Sequence, residues 1–253
     1  MTERPHAYLR VADDLREQIK TGALTPGLKL PPQRLLAEEY GVSDILIRRA
    51  LEILRNEGLI ESRQGSGTFV RERPPVRRIS MDRYLVDSGP QETPQTSFTH
   101  DAGITWSQYR LDKAFAWIEA DERLAELFGV DVGARVLERR FVFYAVGEPS
   151  QMSRSCLLAS DVEGTPVADP RHEPWPGGNT GQLRSLGIKV DKIRETTAVR
   201  MPTPDEAERL GIGTGVPVFS ITRRTYAQGR VVEVADPIVI PGDRAVREDS
   251  IVL

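Results

Sequence analysis

The stretch VSDILIRRALEILRNEGLIESRQGSGTFV, Val42 to Val70, decides how the front of this 253-residue chain folds. Ile47, Ala50, Leu51 and Leu54 recur at three- and four-residue steps, which aligns them along one side of a helix. Ser43 stands at the N-cap position, where a short oxygen-bearing side chain can meet the unpaired backbone N–H groups of the first turn, and Asn56 to Gly58 close the helix. Beyond it, LIESRQ and TFV read as two short strands around Gly65-Ser66-Gly67, a hairpin with glycines at its tip. Because a strand follows, this GSG is not a dinucleotide fingerprint, which needs a helix N-terminus to hold a pyrophosphate.

Toward the N-terminus, Tyr8, Val11, Leu15 and Ile19 form one helical stripe that Gly22 ends. TPGLKLPPQRLLAEEYGV then supplies Pro31-Pro32 at a helix start, Leu36 and Tyr40 four apart, and Gly41 as a stop. The few residues around Gly41 make the turn of a helix-turn-helix, with the hairpin as its wing. Double-stranded DNA is the partner such a unit implies, since the major groove admits an α-helix. Asp44 is then a puzzle, a carboxylate in the first turn of the helix that would meet a polyanion. One reading is that it favours the positive end of the helix dipole, by about 0.3–1 kcal/mol. The other is that it accepts a hydrogen bond from a cytosine amino group while Ile45 or Leu46 packs on a thymine methyl; a good bidentate contact discriminates by about 1–3 kcal/mol, and a single one by less. Both stay open. Arg34, Arg48, Arg49 and Arg63 are expected to make mainly phosphate contacts that weaken steeply with salt.

Composition sets limits. Hydrophobic residues make up 39% and charged residues 28%, the balance of a globular protein. No apolar run approaches the roughly 18 residues of a membrane span, and MTERPHAYLR lacks the apolar core of a signal peptide, so a cytoplasmic protein without a membrane partner is expected. The single Cys156 forms no intramolecular disulfide, and His6, His100 and His172 have no metal-ligand spacing, so neither a metal nor a cofactor is expected. Residues 1–78 hold 14 Lys+Arg against 11 Asp+Glu, and the remainder 20 against 26, a basic front joined to an acidic back.

RERPPVRRISMDRYLVDSGPQETPQTSFTH has prolines, short polar runs and no sustained period, which predicts an exposed linker. Arg77 and Arg78 within it would still be able to reach DNA. The expected division is a DNA-binding domain over 1–72, a linker over 73–98 and a rear domain over 99–253. The rear contains an internal echo. AELFGVDVGARVLERRFVFYAVGEPSQ (Ala125–Gln151) lies over AERLGIGTGVPVFSITRRTYAQGRVVE (Ala207–Glu233) without a gap and with eight identities. Each copy reads as a helix, a Gly-containing turn, a long strand, a tight turn at Gly147 or Gly229 and a return strand, and Thr203 with Glu206 forms a capping box before the second helix. Long strands, short hairpins and interposed helices predict an α+β chain of two domains, the second an antiparallel sheet built from related halves.

The order Pro26-Gly27, Leu30-Pro31, RLLAEEYGVS, the helix with Arg48 and Ala50-Leu51, NEGLI and GSGTFV resembles the winged helix-turn-helix of the GntR family of bacterial transcription regulators over about residues 5–70. The resemblance implies that the third helix enters the major groove and the wing the minor groove, with Arg34, Ser43, Arg48 and Gly65, Ser66 and Gly67 on DNA-contacting positions. Asp44 and Leu46 depart from the Arg and Thr that the family commonly carries, which predicts a different operator. Residues 95–250, through the helix-Gly-strand-hairpin order, PWPGGNTGQL and RVVEVADPIVIPGDR, resemble the UTRA effector-binding domain of the HutC subfamily, related in fold to chorismate lyase. That implies a homodimer on an inverted-repeat operator, a small-molecule effector and, as the commoner mode, repression. Members that bind acidic or phosphorylated ligands carry Arg-x-Arg before the first hairpin and a Glu four residues after its Pro; those positions here are Phe141, Phe143 and Ser153. On that register the pocket has exchanged an anion clamp for two aromatic faces, and a slip of one residue would bring Arg139 or Arg140 inward. Arg223 and Glu233 are expected near the same effector. No Gly-x-Ser-x-Gly, phosphate loop or recognisable carboxylate pair appears, so no catalytic residue is expected. The rival readings are an enzyme of the lyase-like fold and a repressor that needs no ligand.

Overall fold

The computed structural model describes residues 7–63, 65–72, 77–84 and 94–250. The expected linker falls partly on 73–76 and 85–93, and the expected first wing strand on Gln64, which lie outside the described residues. The chain forms two compact units, the first made of residues 1–74 together with 201–207 and 211–216, and the second of the rest.

In the first unit, α1 spans Ala7–Thr21, α2 Gln33–Tyr40 and α3 Asp44–Asn56, followed by strands β1 (Ile60–Arg63) and β2 (Gly67–Val70). Gly41 ends α2 in the left-handed conformation at φ 61°, which permits the sharp turn into α3. The predicted stripe of α3, Ile47, Ala50, Leu51 and Leu54, is fully buried and meets Val11, Ala12 and Leu15 of α1, Leu36 of α2, and Leu59, Ile60 and Val70 of the hairpin. β1 and β2 pair antiparallel from Ile60 opposite Val70 to Arg63 opposite Gly67. Leu28 to Leu30 run beside β2, with Leu30 N–H donating to Thr68 O at 2.8 Å and Val70 N–H to Leu28 O at 2.8 Å. Ser43 caps α3 in position only. Its carbonyl accepts the Leu46 and Ile47 N–H groups, but its hydroxyl makes no capping hydrogen bond.

The second unit begins with β3 (Arg77–Ile79) and α4 (Ser97–Ala102), then β4 (Tyr109–Glu119), α5 (Glu122–Phe128), β5 (Arg135–Ala145), β6 (Glu148–Leu158), α6 (Ala159–Val162) and α7 (Gly178–Ser185). The chain continues through β7 (Lys192–Arg200), α8 (Pro204–Leu210), which groups with the first unit up to Ala207, then β8 (Val218–Ala227), β9 (Arg230–Pro241) and β10 (Ala245–Arg247). Six strands make one antiparallel sheet in the order β4-β5-β6-β9-β8-β7, and β3 pairs with β10 in parallel. The echo in the sequence is thus a duplication in space. β4-α5-β5-β6 and β7-α8-β8-β9 have the same order, and their return strands β6 and β9 meet at the centre of the sheet. Both hairpins turn with two consecutive positive φ values, 52° and 84° at Val146-Gly147 and 52° and 78° at Gln228-Gly229, the mirror-image turn that matches strand twist. Their registers also coincide: Phe141 faces Ser153 and Phe143 faces Gln151 in one half, while Arg223 faces Ala235 and Thr225 faces Glu233 in the other. The capping box before α8 is formed, with Thr203 N–H donating to Glu206 at 2.9 Å and Glu206 N–H to the Thr203 hydroxyl at 3.3 Å.

One face of the sheet carries α5, whose Leu124, Ala125 and Phe128 pack on Val136, Cys156 and Val234. On the other, Leu137, Leu157 and Val232 pack with Val162 of α6 and Leu183 of α7. Residues 77–84 depart from the expected exposed linker. Ile79 joins a core with Ile221, Ala235, Ile238, Ile240 and Ala245, while Arg77 and Arg83 are buried. The short polar runs concealed this, because an arginine hidden among ion pairs and rings is indistinguishable in sequence from one in solvent. Leu54→Ala is expected to destabilise the first unit by about 2–5 kcal/mol, read in urea unfolding. A loss below about 1 kcal/mol would contradict complete burial of that side chain.

Candidate functional site

α3 buries one side and leaves the other outward. Asp44, Ile45, Arg48 and Arg49 are exposed, Ile45 at 66%, while Leu46 is half-buried. Among the described residues neither Asp44 nor Arg48 has an ion-pair partner. Arg49 is steadied by the Tyr8 ring, 4.1 Å from its guanidinium. The wing presents an exposed Gly65-Ser66-Gly67 tip beside Arg63, which lies 4.5 Å from the Phe69 ring and bonds Glu61 at 2.8 Å. Arg34, exposed on α2, is held by Glu38 at 2.5 Å. The side chains that sequence alone assigned to DNA therefore lie at the outer side of α3, at the wing and on the first turn of α2.

The second unit holds a cavity of about 90 Å³ on the face of the sheet opposite α5. Its floor follows from strand register. Residues directly opposite one another in an antiparallel sheet share a face. Phe115 faces Arg139, Arg139 faces Ser155, Ser155 faces Ala235, Ala235 faces Arg223 and Arg223 faces Glu195, one row across all six strands. The next row sets Phe141 beside Ser153 and Ile238, and the next sets Leu111 beside Phe143 and Gln151. Walls come from two places: Arg83, Tyr84, Phe98 and Asp101, ahead of the sheet in the chain, and Trp175, Asn179 and Gln182, at and before α7.

Buried charge governs the floor. Glu233, completely buried, accepts from Arg223 Nη2 at 2.7 Å, the Thr225 hydroxyl at 2.7 Å and the Ser155 hydroxyl at 3.0 Å. Burial alone would push its carboxyl up, but the Arg223 guanidinium and these hydrogen bonds outweigh it and hold the group below the ordinary carboxylate range. Arg83 donates to Asp101 at 2.7 Å and to Glu195 at 2.6 Å, and Glu195 also takes the Tyr84 hydroxyl at 2.6 Å and Arg247 at 2.9 Å. Arg139 differs, for its N–H groups meet the neutral oxygens of Gln182 at 2.6 Å, Ser155 at 2.7 Å and Asn179 at 3.1 Å.

Four residues expected near an effector, Phe141, Phe143, Ser153 and Arg223, line this cavity; Glu233 does not, and instead fixes Arg223 and Ser155 from behind. The expectation that a slip of register is needed to bring Arg139 inward is corrected, while Phe141 and Phe143 stand on the cavity face in the unslipped register. Arg139, Phe141 and Phe143 are two residues apart and share the face, so the aromatic pair and a buried arginine line the cavity together. Arg140 points away, 64% exposed in its side chain and 2.7 Å from Glu138. Arg77 cannot serve as the DNA-reaching group that the linker reading allowed, being buried with Gln151 Oε1 at 2.9 Å and the Phe98 ring 5.2 Å away. Sequence reasoning missed Arg83, Tyr84, Phe98 and Asp101, for they lie in or just past the expected linker, and it missed Asn179 and Gln182. Only PWPGGNTGQL, quoted for resemblance, pointed toward the last two.

Residues 7–70 match the bacterial regulatory proteins of the gntR family, and residues 114–245 match the UTRA domain. SCO4628 of Streptomyces coelicolor, an uncharacterized HTH-type transcriptional regulator, is 30% identical over 243 residues, spanning 93% of this chain and 89% of its own length. The HTH-type transcriptional repressor NagR of Bacillus subtilis is 29% identical over 255 residues, spanning 94% and 91%. The crystal structure of PhnF from Mycobacterium smegmatis superposes with a TM-score of 0.55 at 25% identity, over 96% of this chain and 99% of that one. The chain belongs to the GntR family, with a UTRA effector-binding domain behind its helix-turn-helix, and is a transcriptional regulator rather than an enzyme. Among the described residues no helix is long and apolar enough to cross a membrane.

The Arg223–Glu233 pair generates a pH dependence of stability. Because the folded carboxyl lies below its ordinary value of 4.5, the stabilisation is complete above that pH and is lost as pH falls through the folded value. Glu233→Gln is expected to cost about 3–5 kcal/mol at neutral pH, since it leaves a buried guanidinium without its charge partner, and to flatten the acid limb of stability against pH. Urea titrations at several pH values check both effects. An unchanged acid limb would show that the pair does not set it.

Proposed function

We propose that the chain is a cytoplasmic, effector-responsive repressor that binds an inverted-repeat DNA operator as a homodimer. In each subunit the N-terminal turn of α3 enters the major groove and the glycine-tipped wing reaches the minor groove, the two half-sites lying about 34–36 Å apart. The observation that carries this reading is the outward side of α3, where Asp44, Ile45, Arg48 and Arg49 stand exposed above a fully buried stripe. Arg34, Arg48, Arg49 and Arg63 contact phosphates, with Ser43, Leu46 and the Gly65-Ser66-Gly67 tip completing the interface. Asp44 accepts from a cytosine amino group, so the operator departs from one read by arginine at that position.

The effector binds in the cavity of the second unit, against Phe141, Phe143, Ser153 and Arg223, with Glu233 holding the last in place. Chain order supports a ligand response over a repressor that needs no ligand. The segment that follows the DNA-binding unit supplies Arg83, Tyr84, Phe98 and Asp101 to the lining. A ligand with unequal affinity for two arrangements of that segment shifts the balance between them, and hence the hold on DNA.

Fluorescence anisotropy of the full chain on duplexes drawn from around its own gene, with and without a small-molecule cell extract, tests the proposal. The expected result is preference for an inverted repeat over random competitor, affinity that falls log-linearly with salt, and weakening by the extract. Asp44→Arg should reorder affinities across a panel of half-site variants more than it changes total affinity. No preference over competitor would overturn the DNA reading, indifference to extract the effector reading, and an unchanged order the role of Asp44.

A further inference from the structure

We propose that the cavity takes a compact, largely apolar aromatic molecule bearing one carboxylate, its anion received by Arg139 and its ring by the aromatic wall around Phe143. This deepens the effector reading and rests on it. Arg83 is matched by Asp101 and Glu195, at 2.7 and 2.6 Å, and Arg223 by Glu233 at 2.7 Å. Among the described residues Arg139 has only a long ion pair, with Glu173, and no carboxylate hydrogen-bonded to it. It is 1% exposed, three neutral side chains take its Nη hydrogens, and its Nε has no partner. The nearest carboxylate oxygen, on Glu173, is 4.0 Å away, and that carboxylate is occupied by the Gln182 amide at 2.6 Å and the Trp175 N–H at 2.8 Å. Burial holds the Arg139 guanidinium below its ordinary range, against the opposing influence of the Glu173 and Glu233 carboxylates. Arg77 is likewise short of a carboxylate and is pushed down to about 10 by burial. It lies behind Gln151 and Phe98, outside the lining, and adds positive potential to the same end of the sheet.

Complementarity in charge therefore calls for an anion, and for a single one, because the other lining arginines already have partners. A guanidinium matches a carboxylate with two parallel hydrogen bonds, and Asn179, which accepts from Arg139 through its oxygen, retains amide hydrogens to donate. One stretch of the wall, around Phe143, is aromatic. Phe98 lies 5.1 Å from Phe143, Phe141 5.8 Å from Phe143, and Tyr109 stacks on Phe143 at 6.3 Å between ring centres. Such faces pair well with a planar apolar body. The cavity, about 90 Å³, favours a compact ligand.

Thermal-shift titrations of the full chain test this with benzoate, phenylacetate and indole-3-acetate, their neutral amides, and glucose 6-phosphate as a phosphorylated sugar. The expected result is that at least one acid raises the melting temperature in a saturable way, its amide at least tenfold more weakly, and the sugar phosphate not at all. Two variants locate the anion. Arg139→Gln should abolish the response. Asn179→Asp, which sets a carboxylate where an oxygen now lies 3.1 Å from Arg139, should raise the melting temperature without ligand and also abolish the response. The second variant keeps the test decisive if the first fails to fold. No acid-dependent shift at millimolar concentration, equal shifts from acid and amide, a larger shift from the sugar phosphate, or an Asn179→Asp chain that responds as the wild type does would each overturn the proposal. Operator affinity in the same samples separates it from the effector reading. Acids that stabilise through Arg139 but leave DNA binding unchanged refute the effector reading and keep the anion site. A neutral or phosphorylated compound that releases the operator does the reverse.

Discussion

The second unit depends on the cost of burying guanidinium groups in a β-sheet. Arg83, Arg139 and Arg223 reach one face of the sheet, where water is largely excluded and each charge must find a partner. Glu233 is placed by the two-residue alternation of β9 so that one carboxylate serves Arg223, Thr225 and Ser155 together. Glu195, on the edge strand β7, gathers Arg83, Tyr84 and Arg247. These pairs tie three stretches of chain far apart in sequence, the segment before α4, the sheet and the C-terminal strand, into one polar layer. The cavity is the part of that layer where pairing is incomplete.

Duplication explains how the layer arose from one pattern and why its halves differ. With the two copies overlaid, Phe141 stands over Arg223, Phe143 over Thr225 and Gln151 over Glu233, and the cross-strand pairings are the same. At the pair Phe141 and Arg223 one half presents a ring where the other presents a charge. A fold made twice from one scaffold thus yields an uneven cavity floor, with Phe141, Phe143 and the Arg139 guanidinium on β5 and Arg223 on β8.

Much of this was legible in the sequence, and the reasons are local. The stripe Ile47, Ala50, Leu51, Leu54 has a helical period and little else to do but be buried, so α3 and the turn at Gly41 followed directly. Gly147 and Gly229 marked hairpins because two consecutive positive φ values are easiest where glycine is one of the pair. The echo between Ala125–Gln151 and Ala207–Glu233 gave the symmetry of the sheet. What escaped was long-range. Nothing near Arg83 announces Glu195, more than a hundred residues on, and nothing near Arg139 announces Gln182 in α7. Arg139 stands two residues before Phe141, and strand alternation puts both on one face without any slip of register. Ser43 occupies the cap of α3 without its hydroxyl making the expected bond, a distinction that residue type cannot express.

The central claim, that the cavity of the second unit governs the DNA hold of the first, is tested most directly by filling it. Ser153 lies on the cavity floor opposite Phe141, is small, and belongs to neither ion pair. Operator affinity of a Ser153→Phe chain should be measured with and without the extract fraction that weakens the wild type. The account predicts operator binding within a few-fold of wild type and no response to the fraction. A full response from the filled cavity would contradict it.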